Sequence, residues 1–299
     1  MTDKMAVFQL LGEASASIFP LGRDLLRPQF EKYFSEQSFY APTFLAYQLA
    51  PQSLTLELLL KRNPYTNPAV LEEALEGAVQ AGYLETDGGG GFQISDAGAA
   101  AVDAIHEVFY GHLNQVCQLT EDQLNDLAEL LGGLVIATDQ ADLDGGTLCF
   151  DCSYGGLPLV APSTLGEIDQ LLDHLNAFRD DAHIAAWRST GVSGQVWEAL
   201  TMIWNGTANT AQKLAETLPY HGYSAGEYQA ALDQLVDLGW IKESQEGYQI
   251  TSKGTKIREK AERDTNTNYF QPWSVLGDPE LDQLAELLTK LKESNQSLV

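Results

Sequence analysis

Apolar residues along this chain recur mostly at helical spacing, in runs punctuated by turn residues. An amphipathic segment near Tyr40–Leu49 is followed by a short one near Ser53–Lys61 and by the turn Asn63-Pro64-Tyr65-Thr66. Val70, Leu71, Ala74, Leu75, Ala78 and Val79 then mark one face of a third helix. Asn67 is its predicted cap, and Pro68 sits in the first turn, where a missing N–H has no helical partner to lose. Gly82 is positioned to stop that helix in a left-handed conformation. The short runs Tyr83–Thr86 and Phe92–Ile94, joined by Gly88–Gly91, predict a hairpin. Ser95 caps a fourth helix, and a closing helix covers Thr120–Leu134.

The same succession returns further on. Helices are predicted near Ser193–Trp204 and Thr210–Leu218, followed by the turn Pro219-Tyr220-His221-Gly222-Tyr223. Ser224 then caps a third helix, and Glu227 completes a capping box. Tyr228, Ala231, Leu232, Leu235 and Val236 form its apolar face, with Gly239 as the stop. A hairpin of Trp240–Glu243 and Tyr248–Ile250 follows. Thr251 caps the next helix, and a closing helix covers Pro279–Leu291. Ala74-Leu75, Gly82 and Tyr83-Leu84 match Ala231-Leu232, Gly239 and Trp240-Ile241 at a constant offset of 157 residues. Leu124–Leu131 and Leu281–Leu288 are identical at six of eight positions at the same offset. The expected architecture is therefore one unit present twice. Residues 1–140 form the first copy, 141–164 a linker and 165–299 the second copy.

Three helices, a hairpin and a fourth helix in this order define a winged helix-turn-helix. The residues Leu75-x6-Gly82-Tyr83-Leu84 and Phe92-x-Ile94-Ser95-x-x-Gly98, with their second copies, resemble the MarR-type winged helix. The segment from Phe178 to Arg188, with Gly191-Val192-Ser193-Gly194, is similar to the SalK-like helix-turn-helix proteins, which carry the fold in duplicate. The resemblance implies a mainly α fold with small antiparallel β wings. It further implies a tandem arrangement whose closing helices pair within one chain as a pseudo-dimer, so that a monomer does the work of two subunits.

Charge alters the functional expectation that this fold carries. The 299 residues hold 42 Asp+Glu against 17 Lys+Arg, a net charge of −25. No Lys or Arg occurs between Arg62 and Arg179. In a winged helix the third helix enters the major groove, where basic residues meet phosphates and bases. Here the first such helix carries Glu72, Glu73 and Glu76, the second Glu227, Asp233 and Asp237, and neither carries a base. The basic residues Lys242, Lys253, Lys256 and Arg258 in and after the second wing are candidate DNA contacts, but Glu243, Glu246, Glu259 and Glu262 interleave with them. DNA binding is thus possible but disfavoured by charge: the expectation is a regulator-type protein whose DNA-reading surfaces are weakened or lost, and the alternative is an orthodox DNA-binding regulator that uses the second wing.

The densest polar constellation is Arg179, His183, Trp187 and Arg188. Arg179, His183 and Trp187 share one helical face. With Phe39 and Tyr40 across the copy interface, they are the expected ligand-binding residues, the arginines for an anion and the aromatics for an apolar body. The bland alternative is a helix whose Arg and His bond to the neighbouring domain around a core tryptophan. A third reading is an enzyme with His183 as base and Arg179 as oxyanion binder; the sequence leans away from it. Cys149-Phe150-Asp151-Cys152 lacks further zinc ligands, and no phosphate or dinucleotide fingerprint is present. No cofactor and no metal are expected. The start Met1-Thr2-Asp3-Lys4-Met5 is unlike a signal peptide, and no run of about 18 consecutive apolar residues occurs. The expectation is a cytoplasmic protein with no membrane partner that binds a small molecule or another protein.

Overall fold

The computed structural model describes residues 3–34, 39–158 and 160–298; of the N-terminal charge pattern, Met1 and Thr2 lie outside them. The first half runs α1 (Lys4–Tyr33), α2 (Tyr40–Leu49), α3 (Leu56–Arg62), α4 (Pro68–Gln80), β1 (Leu84–Thr86), β2 (Phe92–Ile94), α5 (Asp96–Leu113) and α6 (Glu121–Asp139). After α7 (Leu148–Gly156) the second half follows the same order. It comprises α8 (Leu165–Arg188), α9 (Gly194–Trp204), α10 (Ala211–Thr217), α11 (Ala225–Asp237), β3 (Ile241–Ser244), β4 (Gly247–Ile250), α12 (Ser252–Phe270) and α13 (Asp278–Gln296). The fold is mainly α with two two-stranded antiparallel sheets, β1–β2 and β3–β4, in a winged helix-turn-helix arrangement.

The caps read from the sequence form as chemistry requires. The Asn67 side-chain Oδ1 accepts from the Ala69 N–H, and Ser224 and Glu227 close a reciprocal capping box. Ser95 and Thr251 cap α5 and α12 through the N–H groups of Gly98 and Gly254. Gly82 and Gly239, at φ of 80° and 68°, end α4 and α11 in the left-handed region.

Two elements go beyond the sequence pattern. α1 is one helix of 30 residues in a segment to which the periodicity assigned no element. Its buried residues Val7, Leu11, Ala14, Ile18, Gly22 and Leu26 recur every three or four positions. Packing of that stripe on α13 and α5 outweighs the backbone bonds that Pro20 and Pro28 remove. By length and hydropathy alone α1 is also long and apolar enough to cross a membrane, although Gly12-Glu13, Pro20 and Pro28 interrupt its apolar run. The second addition is α7, inside the segment read as a linker. Asp181 fixes its start, accepting from the N–H groups of Cys149 and Phe150 at 2.9 and 2.8 Å.

α1 lies mainly on α13, while α8 lies on α12, α6 and α7. Leu127, Leu131, Leu134, Leu172, Leu175, Leu284, Leu288 and Leu291 fill the core of this platform. Each helix-turn-helix has its own smaller core, centred on Leu54, Leu75 and Leu84 in the first half and on Trp197, Leu200 and Leu232 in the second.

Candidate functional site

α4 and α11 are the helices that would read DNA in this fold, and their N-terminal ends are hydrogen-bonded to each other. The Asn67 N–H donates to the His221 carbonyl at 2.8 Å. The Asn67 side-chain amide donates to the Gly222 carbonyl and to Glu227 Oε1, both at 3.2 Å. Glu227 Oε2 accepts from the N–H and hydroxyl of Ser224. These bonds, led by those from Ser224, hold the Glu227 carboxyl below the usual carboxylate range. A helix N-terminus is a ready site for phosphate. Here a carboxylate of the chain itself occupies it.

The two turns interlock beside this contact. Tyr65 stacks on His221 with centroids 6.2 Å apart and ring planes 17° from parallel. The Trp187 indole N–H donates to the Tyr65 hydroxyl at 2.9 Å. Gly194, at the start of α9, lies so close to Pro64 that a Cβ there would stand 2.0 Å from the Pro64 carbonyl oxygen. On the outer faces Glu72, Glu73, Glu76, Asp233 and Asp237 are exposed.

The candidate DNA-contacting bases divide. Lys242, Lys253 and Lys256 are exposed, and the Lys253 ammonium donates to the Leu238 carbonyl at 2.8 Å. Arg258 is only 5% exposed. Its guanidinium lies between Trp197 and Trp204, 5.0 and 4.9 Å from their ring centroids, bonds Thr201 and pairs with Glu262. Arg258 therefore belongs to the second half's core and cannot reach a phosphate in this conformation.

A cavity of about 470 Å³ opens between α1, α2 and α5 on one side and α7 and α8 on the other. Its apolar wall consists of Phe19, Leu26, Phe30, Tyr40, Phe44, Ile105, Phe109 and Tyr110. Its polar groups are Arg62, His106, Ser153, Asp169, Asp173, Asn176 and Asp180. Beside it, sharing Tyr40, Phe44, Gln48, Arg62 and Asp180, a second cavity of about 410 Å³ extends toward Tyr65 and His183. Volumes of this size suit a small organic ligand.

Electrostatics inside the cavity are unusual. Asp180 pairs with Arg62 at 3.6 Å. Asp169 and Asp173, one helical turn apart on α8, have no such cation among the described residues. Burial, reinforced by the Asp173 charge, holds the Asp169 carboxyl well above its ordinary range. Asp173 reaches solvent through the cavity mouth, but surrounding protein still pushes it up to about 6. His106 is 7% exposed, and neither ring nitrogen has a hydrogen-bond partner. Burial lowers it to about 4, so the imidazole is neutral at pH 7. It stands edge-on to Phe44, with centroids 5.1 Å apart.

Two of the six ligand-binding candidates meet here: Tyr40 lines both cavities, and His183 lines the second. Burial, with a smaller contribution from Arg258, lowers His183 to about 4, and its Nδ1 lies 3.4 Å from the Thr265 hydroxyl. The other four lie elsewhere. The Arg179 guanidinium packs over Phe8 and Tyr269 and donates to Asn266 at 2.7 Å. Trp187 stacks on Trp197, Arg188 donates to the Lys61 carbonyl at 3.0 Å, and Phe39 fills the space beside Gly77. His183 and Arg179 share a helical face but not a cavity, so the base-and-oxyanion pair does not assemble. Cys149 and Cys152 are buried free thiols, and burial pushes both upward, away from the reactive thiolate. Among the described residues no group of three His, Cys, Asp or Glu is placed to hold a metal ion.

Asp169, Asp173, His106 and Arg62 did not stand out in the sequence. Asp169 and Asp173 did leave a trace, as acids spaced four apart among the leucines of α8's apolar face.

The helix-turn-helix arrangement, with its small β wings, is the scaffold of regulator-like DNA-binding proteins. A profile described as a helix-turn-helix family matches residues 99–297, more than half of the chain. The chain belongs to this helix-turn-helix family. No curated protein and no solved structure matches it.

Proposed function

We propose that this chain is a regulator-like protein of MarR-like, SalK-like type that binds a small molecule, and that its DNA-reading surfaces are engaged with each other. The hydrogen bonds from Asn67 to His221, Gly222 and Glu227 carry this reading. Recognition helices that enter successive major grooves stand about 34 Å apart. Helices whose N-termini share hydrogen bonds cannot span that distance. The acidic outer faces of α4 and α11 argue the same way, because they would set negative charge against the DNA backbone.

The pseudo-dimer reading draws support from pairs of equivalent positions. Asn67 and Ser224, the caps of α4 and α11, are joined through Glu227. Asp126 and Gln283, 157 residues apart on the closing helices, share a hydrogen bond of 3.1 Å. Contact between equivalent residues is what a two-fold relation produces.

The test is a fluorescence-anisotropy titration of labelled duplexes, random and genomic, at low salt. The expected curve shows no saturation through the micromolar range. Saturable, sequence-specific binding of the strength ordinary regulators reach, roughly 10⁻⁸ M or tighter, would overturn the proposal.

A further inference from the structure

We infer that the larger cavity takes an organic cation with an aromatic or branched apolar body, held by Asp169 and Asp173. The inference rests on the ligand-binding reading above and specifies its chemistry. Three carboxylates and one guanidinium line the cavity. Arg62 is committed to Asp180. That leaves two carboxylates on adjacent turns of α8 with no cation opposite them among the described residues. An anionic ligand would be repelled by whichever member of the pair is ionised. A neutral one would bury it further from water without compensation. A proton on Asp169 can meet part of this charge, and a cationic ligand would take its place; in a partly desolvated site its attraction to the pair is stronger than at the surface.

The remaining walls fit the same occupant. Tyr40, Phe30 and Phe44 form a connected aromatic cluster, with Tyr40 5.1 Å from Phe44 and 4.8 Å from Phe30 between ring centroids. Faces of such rings attract cations and pack apolar bodies. His106 supplies an independent pointer. It is a cavity-lining side chain more than nine-tenths buried, with both ring nitrogens unpartnered. An unmet buried donor and acceptor are costly, and because both nitrogens are sealed from solvent here, a ligand group would meet one of them only where the cavity wall gives way.

Three probes of nearly one shape test the inference on the full-length protein: phenyltrimethylammonium, its uncharged carbon isostere tert-butylbenzene, and the anion benzoate. Affinities are read by ligand-observed NMR titration. The cation is expected to bind at least tenfold more tightly than the isostere, and benzoate not at all. In the D169N/D173N variant that preference is expected to vanish while the isostere's affinity is retained, which also shows that the cavity still forms. Removing two of 42 acids changes the overall charge too little to cause such a loss by itself. Equal binding of cation and isostere in the native chain, or a cation preference that survives D169N/D173N, would overturn the inference and leave the ligand-binding reading standing. Failure of all three probes to bind would overturn both.

Discussion

Replacing Trp187 by alanine is expected to lower stability by about 3–5 kcal/mol, the range for deleting a fully buried tryptophan. Trp187 is 2% exposed at the C-terminal end of α8. Its ring lies parallel to Trp197, with centroids 5.8 Å apart and planes 11° from parallel, inside the core of the second helix-turn-helix. Its N–H reaches the other way, to the Tyr65 hydroxyl of the first half. One side chain thus joins a hydrophobic core to the interface between the two turns. Trp187→Phe separates the two contributions. It keeps an aromatic ring in the core but leaves the Tyr65 hydroxyl without its donor, an expected loss of about 1–3 kcal/mol. Denaturant midpoints for both variants check this. A loss below about 1 kcal/mol for Trp187→Ala, the size usual for surface positions, would contradict the packing described.

Gly194→Ala is expected to strain the interface itself. The new Cβ would stand 2.0 Å from a backbone carbonyl oxygen, which cannot swing aside as a side chain can. Either α9 or the turn at Pro64 must retreat. Overpacking of this kind costs about 1–3 kcal/mol. The effect should be local. Hydrogen exchange is expected to quicken at the Asn67 N–H, whose acceptor is the His221 carbonyl, and to stay unchanged in the core of α6, α8 and α13. Gly12→Ala is the control, because an added Cβ there meets nothing within 4 Å. Equal exchange at Asn67 in Gly194→Ala and the native chain would show that the turns do not depend on each other.

The winged helix-turn-helix pattern was legible in the sequence because its signals are local. Asn67, Ser224 and Glu227 cap helices within three residues of themselves, and Gly82 and Gly239 stop helices at a single backbone position. α1 was less legible. Gly12, Glu13, Pro20 and Pro28 interrupt its apolar run, and only packing on α13 and α5 makes the stripe from Val7 to Leu26 a helix face. α7 depends on Asp181, a carboxylate some thirty residues downstream of the amides it caps.

The candidate site was the least legible part, for the same reason. Arg179, His183 and Trp187 do share one face of α8, as their spacing requires. That face meets α12, α9 and the Tyr65 turn, so the arginine and the tryptophan pack against protein and line neither cavity. The cavity is bounded by a different stretch of the helix, where Asp169 and Asp173 face α2 and α5. Which of several polar stretches borders a void is decided by how distant helices pack, and no local spacing encodes it. The acidic residues on the outer faces of α4 and α11 were legible as surface, because they remain exposed however the helices meet.

The engagement of the two recognition helices is tested most directly by the distance between them in solution. Spin labels at Ala69→Cys and Gly226→Cys, in a Cys117→Ser background, report it by pulsed electron paramagnetic resonance. The expected result is a single narrow distribution well short of the roughly 34 Å that reading successive major grooves requires, unchanged when duplex DNA is added. A distribution centred near that distance, or one that moves to it with DNA, would contradict the account.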